Sequence, residues 1–156
     1  FMRKSEFSGI VTNEMKLVLP SLSVNEGAAR AMIAAFCAQL NPTATEIADI
    51  KCAVSEAVTN CIVHAYREGP GLIYISVRLY EERYVRISVK DRGCGIPDIK
   101  KAREPLYTTD SENERSGMGF TVMENFMDKL AVSSRPGKGT TVTMHKRINP
   151  PSLSDL

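Results

Sequence analysis

The stretch from Thr43 to Gly71 sets the strongest constraint on how this chain folds. Apolar residues recur at Ile47, Ile50, Val54, Val58, Cys61 and Ala65, in steps of three and four that put them on one side of a helix. Thr43 opens the segment with Glu46 three residues on, the spacing of a capping box. Gly69-Pro70-Gly71 ends it. Leu72–Leu79 and Tyr84–Val89 follow, both rich in β-branched and aromatic residues, and the charged Glu81-Glu82-Arg83 between them reads as a hairpin turn. A one-sided helix running straight into a two-stranded ribbon calls for helix packed on sheet.

The flanking segments extend that pattern. Met15–Leu19 alternates and predicts a short strand ended by Pro20. Ser23–Leu40 is Ala-rich and predicts a helix, with Ser23 as N-cap and Glu26 completing a capping box, broken by Asn41-Pro42. Asp91–Gly95 is a tight glycine-rich turn, and Pro97–Arg103 reads as a short helix. Glu104–Ser116 is polar and without period, a loop of the length found in lids and binding segments. Gly117–Leu130 predicts a helix, then Ala131–Ser134 and Thr140–His145 predict strands around Pro136-Gly137-Lys138-Gly139. The order β-α-α-β-β-lid-α-β-β predicts an α+β fold. The expected form is a two-layer α/β sandwich whose mixed, mostly antiparallel sheet is covered on one face by helices. At 156 residues this is one domain, expected over 13–147, between tails at 1–12 and 148–156.

Composition narrows the function classes. With 43% hydrophobic and 24% charged residues the chain is neither disordered, collagen-like nor a coiled coil. Lys and Arg number 20 against 18 Asp and Glu, so a net charge of +2 gives no general attraction to nucleic acid or to an anionic membrane. No apolar run is long enough to cross a bilayer, and Phe1–Thr12 lacks the apolar core of a secretory signal. The four cysteines, Cys37, Cys52, Cys61 and Cys94, include no CxxC pair, which predicts a reduced, cytoplasmic protein with mostly buried thiols.

Three short motifs carry candidate chemistry, each with a plainer alternative. Glu56 and Asn60 lie one turn apart, nearly opposite the apolar stripe. They are either a solvated helix face or a carboxylate for proton transfer beside an amide oxygen suited to Mg²⁺. Asp91-Arg92-Gly93-Cys94-Gly95-Ile96 is either a strand-ending turn or a place where backbone approaches a flat ligand beside an acidic acceptor. Arg115-Ser116-Gly117-Met118-Gly119-Phe120 is either a hinge or an anion site at a helix start, with Arg115 adding charge.

Their order carries more than any one of them. A helical E-x-x-x-N, a hairpin, D-x-G-x-G, a polar lid, G-x-G at a helix start and a final strand with Thr140-Thr141 resemble the ATPase superfamily of gyrase, the ninety-kilodalton heat-shock chaperone, histidine kinases and mismatch-repair proteins. Within it, Val54–Asn60, Pro105–Thr109 and Glu114–Asp128 are similar to the anti-sigma-F serine kinases of endospore-forming bacteria, a likeness running from about Asn13 to Lys146.

That resemblance implies the Bergerat-type ATP-binding fold and a set of roles. Glu56 would be the catalytic carboxylate acting on a substrate serine, and Asn60 would ligate Mg²⁺. Asp91 would accept a hydrogen bond from the adenine amino group, with Gly93, Gly95 and Ile96 near the ring and Thr140 assisting from the far strand. Thr108 and Thr109 would close over ATP or ADP, while Arg115, Ser116, Gly117, Met118, Gly119 and Phe120 wrap the phosphates. Arg30 would meet the partners, a sporulation sigma factor and the anti-anti-sigma phosphoprotein that is the serine substrate, across a homodimer. Ala65 departs from the usual His-Gly-Tyr, which predicts a different helix end, and the lid's Tyr107 and Asp110–Asn113 also differ. The alternative function is a nucleotide-gated sigma-binding module without kinase activity.

Overall fold

The computed structural model describes residues 9–104 and 119–149. Five strands, β1 (Val11–Pro20), β2 (Leu72–Tyr80), β3 (Tyr84–Asp91), β4 (Lys129–Arg135) and β5 (Gly139–Arg147), form one sheet in the order β1-β2-β3-β5-β4. Every pairing among them is antiparallel, so a sheet expected to be mostly antiparallel is wholly so. The cause lies in the connection between β1 and β2. Two helices, α1 (Val24–Cys37) and α2 (Ala44–Asn60), separate these strands, and Pro20 at the end of β1 pairs with Leu72 at the start of β2. The chain re-enters the sheet at the end it left, whereas a single crossover helix would give a parallel neighbour.

The helices cover one sheet face. Ile73, Ile75 and Val77 of β2, Ile87 and Val89 of β3 and Met144 of β5 bury against Ile33 of α1, Ile50, Val54 and Val58 of α2 and Met123 of α4 (Gly119–Phe126). The period-2 alternation sends the intervening residues to the other face. There Glu14, Arg78, Arg86, His145 and Lys129 stand in register across all five strands, and Arg78 and Arg86 line with Ser76 and Ser88 a shallow depression of about 190 Å³.

Several element ends differ from the sequence reading for local reasons. β1 begins at Val11, ahead of Met15, because its pairing with β2 continues to Tyr80. The capping box at Ser23 does not form: Ser23 has helical φ and ψ and no side-chain cap bond. Glu26, its intended partner, instead accepts from the Ser55 hydroxyl and from Arg30. The box at Thr43 does form, with Glu46 N–H donating to Thr43 Oγ1 at 3.1 Å and Thr43 N–H to Glu46 Oε1 at 3.0 Å. α1 tightens into a 3₁₀ turn at Ala38–Leu40, and α2 runs into a π-helical turn at Cys61–Ala65. A short α3 (Ile99–Ala102) is capped by Asp98. α4 stops at Phe126 rather than Leu130, because Asp128 N–H donates to His145 O at 2.8 Å and Lys129 and Leu130 join β4. The buried Lys146 donates to Phe126 O at 2.8 Å and closes that helix end.

Cys37 and Cys61 are buried, but Cys52, on the outer side of α2, and Cys94, in the turn after β3, are exposed, so the thiols are not mostly buried. Among the described residues no helix is long and apolar enough to cross a membrane.

Candidate functional site

The polar side of α2 packs against the start of α4. Glu56 and Asn60 are half-buried there rather than solvated. A Cβ built on Gly119 would lie 3.3 Å from Glu56 Oε2 and 3.4 Å from Asn60 Oδ1, so these three residues meet at one point. A glycine at the helix start lets α4 come this close. Phe120, next in the chain, turns its side chain into the core at 9% exposure, so it offers the site backbone only. Thr108, Thr109, Arg115, Ser116, Gly117 and Met118 lie outside the described residues.

Asp91 forms a second focus at the end of β3. It is buried at 6% exposure. Its Oδ1 accepts from Gly93 N–H at 2.9 Å and from Thr140 N–H at 3.2 Å, and its Oδ2 accepts from the Cys61 thiol at 3.6 Å. Burial raises its pKa above the ordinary aspartate value, and those three donors oppose the rise. Burial, followed by the Asp91 charge, pushes the Cys61 thiol up, so it stays protonated and donates.

The turn after Asp91 is laced to two other elements. Cys94 N–H donates to Ala65 O at 2.9 Å, Gly137 N–H to Cys94 O at 2.7 Å, and Ile96 N–H to Ser134 Oγ at 2.8 Å. Ser134 Oγ in turn lies 2.8 Å from Thr140 Oγ1. The glycines here close chain against chain. A Cβ on Gly93 would fall 2.2 Å from Ala65 O, one on Gly95 2.2 Å from Arg135 O, and one on Gly139 2.2 Å from Asp91 O. Gly95 and Gly139 also have φ of +76° and +109°.

The structure thus brings Glu56, Asn60 and Gly119 together, and Asp91, Gly93, Gly95, Ile96 and Thr140 together. Asn60 and Cys61, adjacent in the chain, join the two groups. Arg30 is exposed on α1 and reaches α2 through Ser55 Oγ at 3.3 Å. Sequence reasoning missed Cys61, Ser134 and Tyr66. The Tyr66 hydroxyl donates to Leu72 O at 2.6 Å and accepts from Arg92 N–H at 2.7 Å. A tyrosine just before the Gly-Pro-Gly break was the one visible signal. Cys61 read as part of the apolar stripe and Ser134 as an ordinary strand residue.

Among the described residues no three His, Cys, Asp or Glu side chains form a metal cluster. The pairing of an amide oxygen with a carboxylate oxygen around Gly119 suits a hard cation that completes its shell from phosphate and water, which is the habit of Mg²⁺.

A model of the histidine kinase-like ATPase domain matches residues 19–146. The anti-sigma F factor of Bacillus licheniformis is 52% identical over 138 residues, covering 88% of this chain and 94% of that protein. The anti-sigma F factor of Caldanaerobacter subterraneus subsp. tengcongensis is 57% identical over 136 residues, covering 87% and 94%. The chain belongs to the anti-sigma F factor family. Family membership makes this a histidine kinase-like ATPase domain, a nucleotide-binding fold, and agrees with the antiparallel sheet and its one helical layer. The fold also matches the crystal structure of the RsbU and RsbW domains of Rv1364c from Mycobacterium tuberculosis. That match has a TM-score of 0.67 at 24% identity and covers 90% of this chain and 34% of that one. The histidine kinase domain of Erythrobacter litoralis EL346 matches with a TM-score of 0.53 at 21% identity, covering 79% and 61%.

Proposed function

We propose that this protein is an anti-sigma factor and a protein serine kinase, which binds and inhibits a sporulation sigma factor and uses Mg-ATP to phosphorylate a serine of its anti-anti-sigma antagonist. One observation carries the kinase reading: Glu56 and Asn60 converge on the glycine that opens α4. That is where a carboxylate for a hydroxyl nucleophile and an oxygen ligand for a phosphate-bound cation are both needed.

In this reading Asp91 accepts from the adenine amino group. Gly119 and Phe120 offer backbone N–H groups at a helix start, where phosphate is favoured. Thr108, Thr109, Arg115, Ser116, Gly117 and Met118 complete the cover over the phosphates. Asn60 holds Mg²⁺, which when bound neutralises phosphate charge. Glu56 orients the substrate serine and takes its proton as the hydroxyl oxygen bonds to the γ-phosphorus and the bond to ADP breaks. Arg30, exposed on α1, contacts the protein partners. A homodimer in the cytoplasm completes the proposal.

The test mixes the protein with γ-labelled ATP, Mg²⁺ and the antagonist. Acid-stable label on the antagonist is expected, and Glu56→Gln should lower its rate about 10²- to 10⁴-fold with ATP affinity retained. No transfer with ATP binding intact would leave a nucleotide-gated sigma binder instead.

A further inference from the structure

The contact between Cys61 and Asp91 lies outside every role assigned above. Asp91 Oδ1 already accepts two backbone N–H groups, from Gly93 and Thr140, and has no further lone pair to offer. Among the described residues Oδ2 accepts only from the Cys61 thiol, at 3.6 Å. One lone-pair direction on Oδ2 is therefore left for a ligand. The three donors come from three elements, the turn after β3, strand β5 and the end of α2, and together they fix the plane of the carboxylate. Cys61 is 3% exposed and begins the π turn directly after Asn60, so its thiol has little room to point elsewhere.

We infer that Cys61 is a positioning residue that sets base specificity: its thiol holds Asp91 with one Oδ2 lone pair directed at a 6-amino group, favouring 6-aminopurine over 6-oxopurine nucleotides. The inference rests on the proposed reading of the site as an adenine-nucleotide pocket. A 6-amino group donates to this oxygen, whereas a 6-oxo group sets lone pair against lone pair and leaves a buried acceptor unpaired.

Calorimetric titration of the full chain with ADP and with IDP measures the preference. The unsubstituted protein should favour ADP. Cys61→Ser keeps a donor and should hold the ADP/IDP affinity ratio within about twofold. Cys61→Ala removes the donor and should reduce the ratio about fivefold, the scale of one modest hydrogen bond. Cys61→Val, which fills the space without donating, should do the same and serves if the alanine variant does not fold. A purely structural cysteine would lower the melting temperature and leave the ratio unmoved. An unchanged ratio in the folded alanine or valine variant overturns the role of Cys61 alone. Equal or absent binding of the two nucleotides by the unsubstituted protein overturns the adenine-pocket reading, and this inference with it.

Discussion

Asp91 sits where function and stability oppose each other. Burial holds its pKa above the ordinary value of 3.8, despite the donors from Gly93, Thr140 and Cys61. A carboxylate whose folded pKa is raised favours the fold below its unfolded pKa, and that contribution is lost as pH rises through the folded pKa. At neutral pH the ionised side chain therefore burdens the fold. Asp91→Asn should raise the melting temperature at pH 7 and weaken adenine-nucleotide binding, a pair of effects that thermal melts and titrations on one sample would resolve. A lower melting temperature at pH 7 would show that the ionised carboxylate's bonds outweigh its burial. The D-x-G-x-G spacing made this residue visible in the sequence, but the reason for its glycines was not. The motif places them close to a ring; in the fold they also lie against backbone, Gly93 on the carbonyl of Ala65 and Gly95 on that of Arg135, both of which arrive from elsewhere in the chain.

Two helix starts share the same spacing, Ser23 with Glu26 and Thr43 with Glu46, and only the second closes as a capping box. The difference is partly tertiary: Glu26 is engaged by Arg30, four residues on in the same helix, and by Ser55 of α2, and no local pattern announces the Ser55 contact. Glu46 carries a second duty, its Oε2 accepting from Asn149 N–H at 3.0 Å. Burial would raise the pKa of Glu46, but the Thr43 and Asn149 N–H groups, the Thr43 hydroxyl and nearby Lys146 outweigh it and hold the carboxyl below its usual 4.5. A lowered carboxylate pKa stabilises the fold above the unfolded pKa, and that stability is lost as pH falls through the folded one. Thr43→Ala should cost about 1 kcal/mol in urea unfolding at pH 7. Glu46→Gln should flatten the loss of stability below about pH 4.5 in acid titrations. Element existence was legible from period and turn chemistry. The ends of β1, α4 and β4 were not, because pairing across the sheet decided them.

At the scale of the molecule, the element order was readable and the strand order was not. β3 lies beside β5 through pairs such as Val85 with Lys146, far apart in the chain, and short-range patterns carry no signal of that. Exposed apolar side chains gather along β1 and its junctions: Ile10, Val11, Val18, Leu22, Val24 and Leu72. An edge strand with such a fringe is suited to cover by another copy, in keeping with the proposed homodimer. Val18→Lys should shift the protein toward monomer in sedimentation velocity and leave its circular dichroism unchanged. Dimers of undiminished strength would move the interface off β1.

The uneven exposure of the four sulfurs gives the molecule a built-in reporter. Cys52 and Cys94 are open to a maleimide in the native state, while Cys37 and Cys61 are shielded until the chain unfolds. A thiol count of two that rises to four in denaturant thus measures foldedness without any added probe. Replacing Cys52 with serine leaves Cys94 as the single native attachment point, between Gly93 and Gly95 in the turn that follows Asp91. A dye there watches the proposed pocket from inside its own wall.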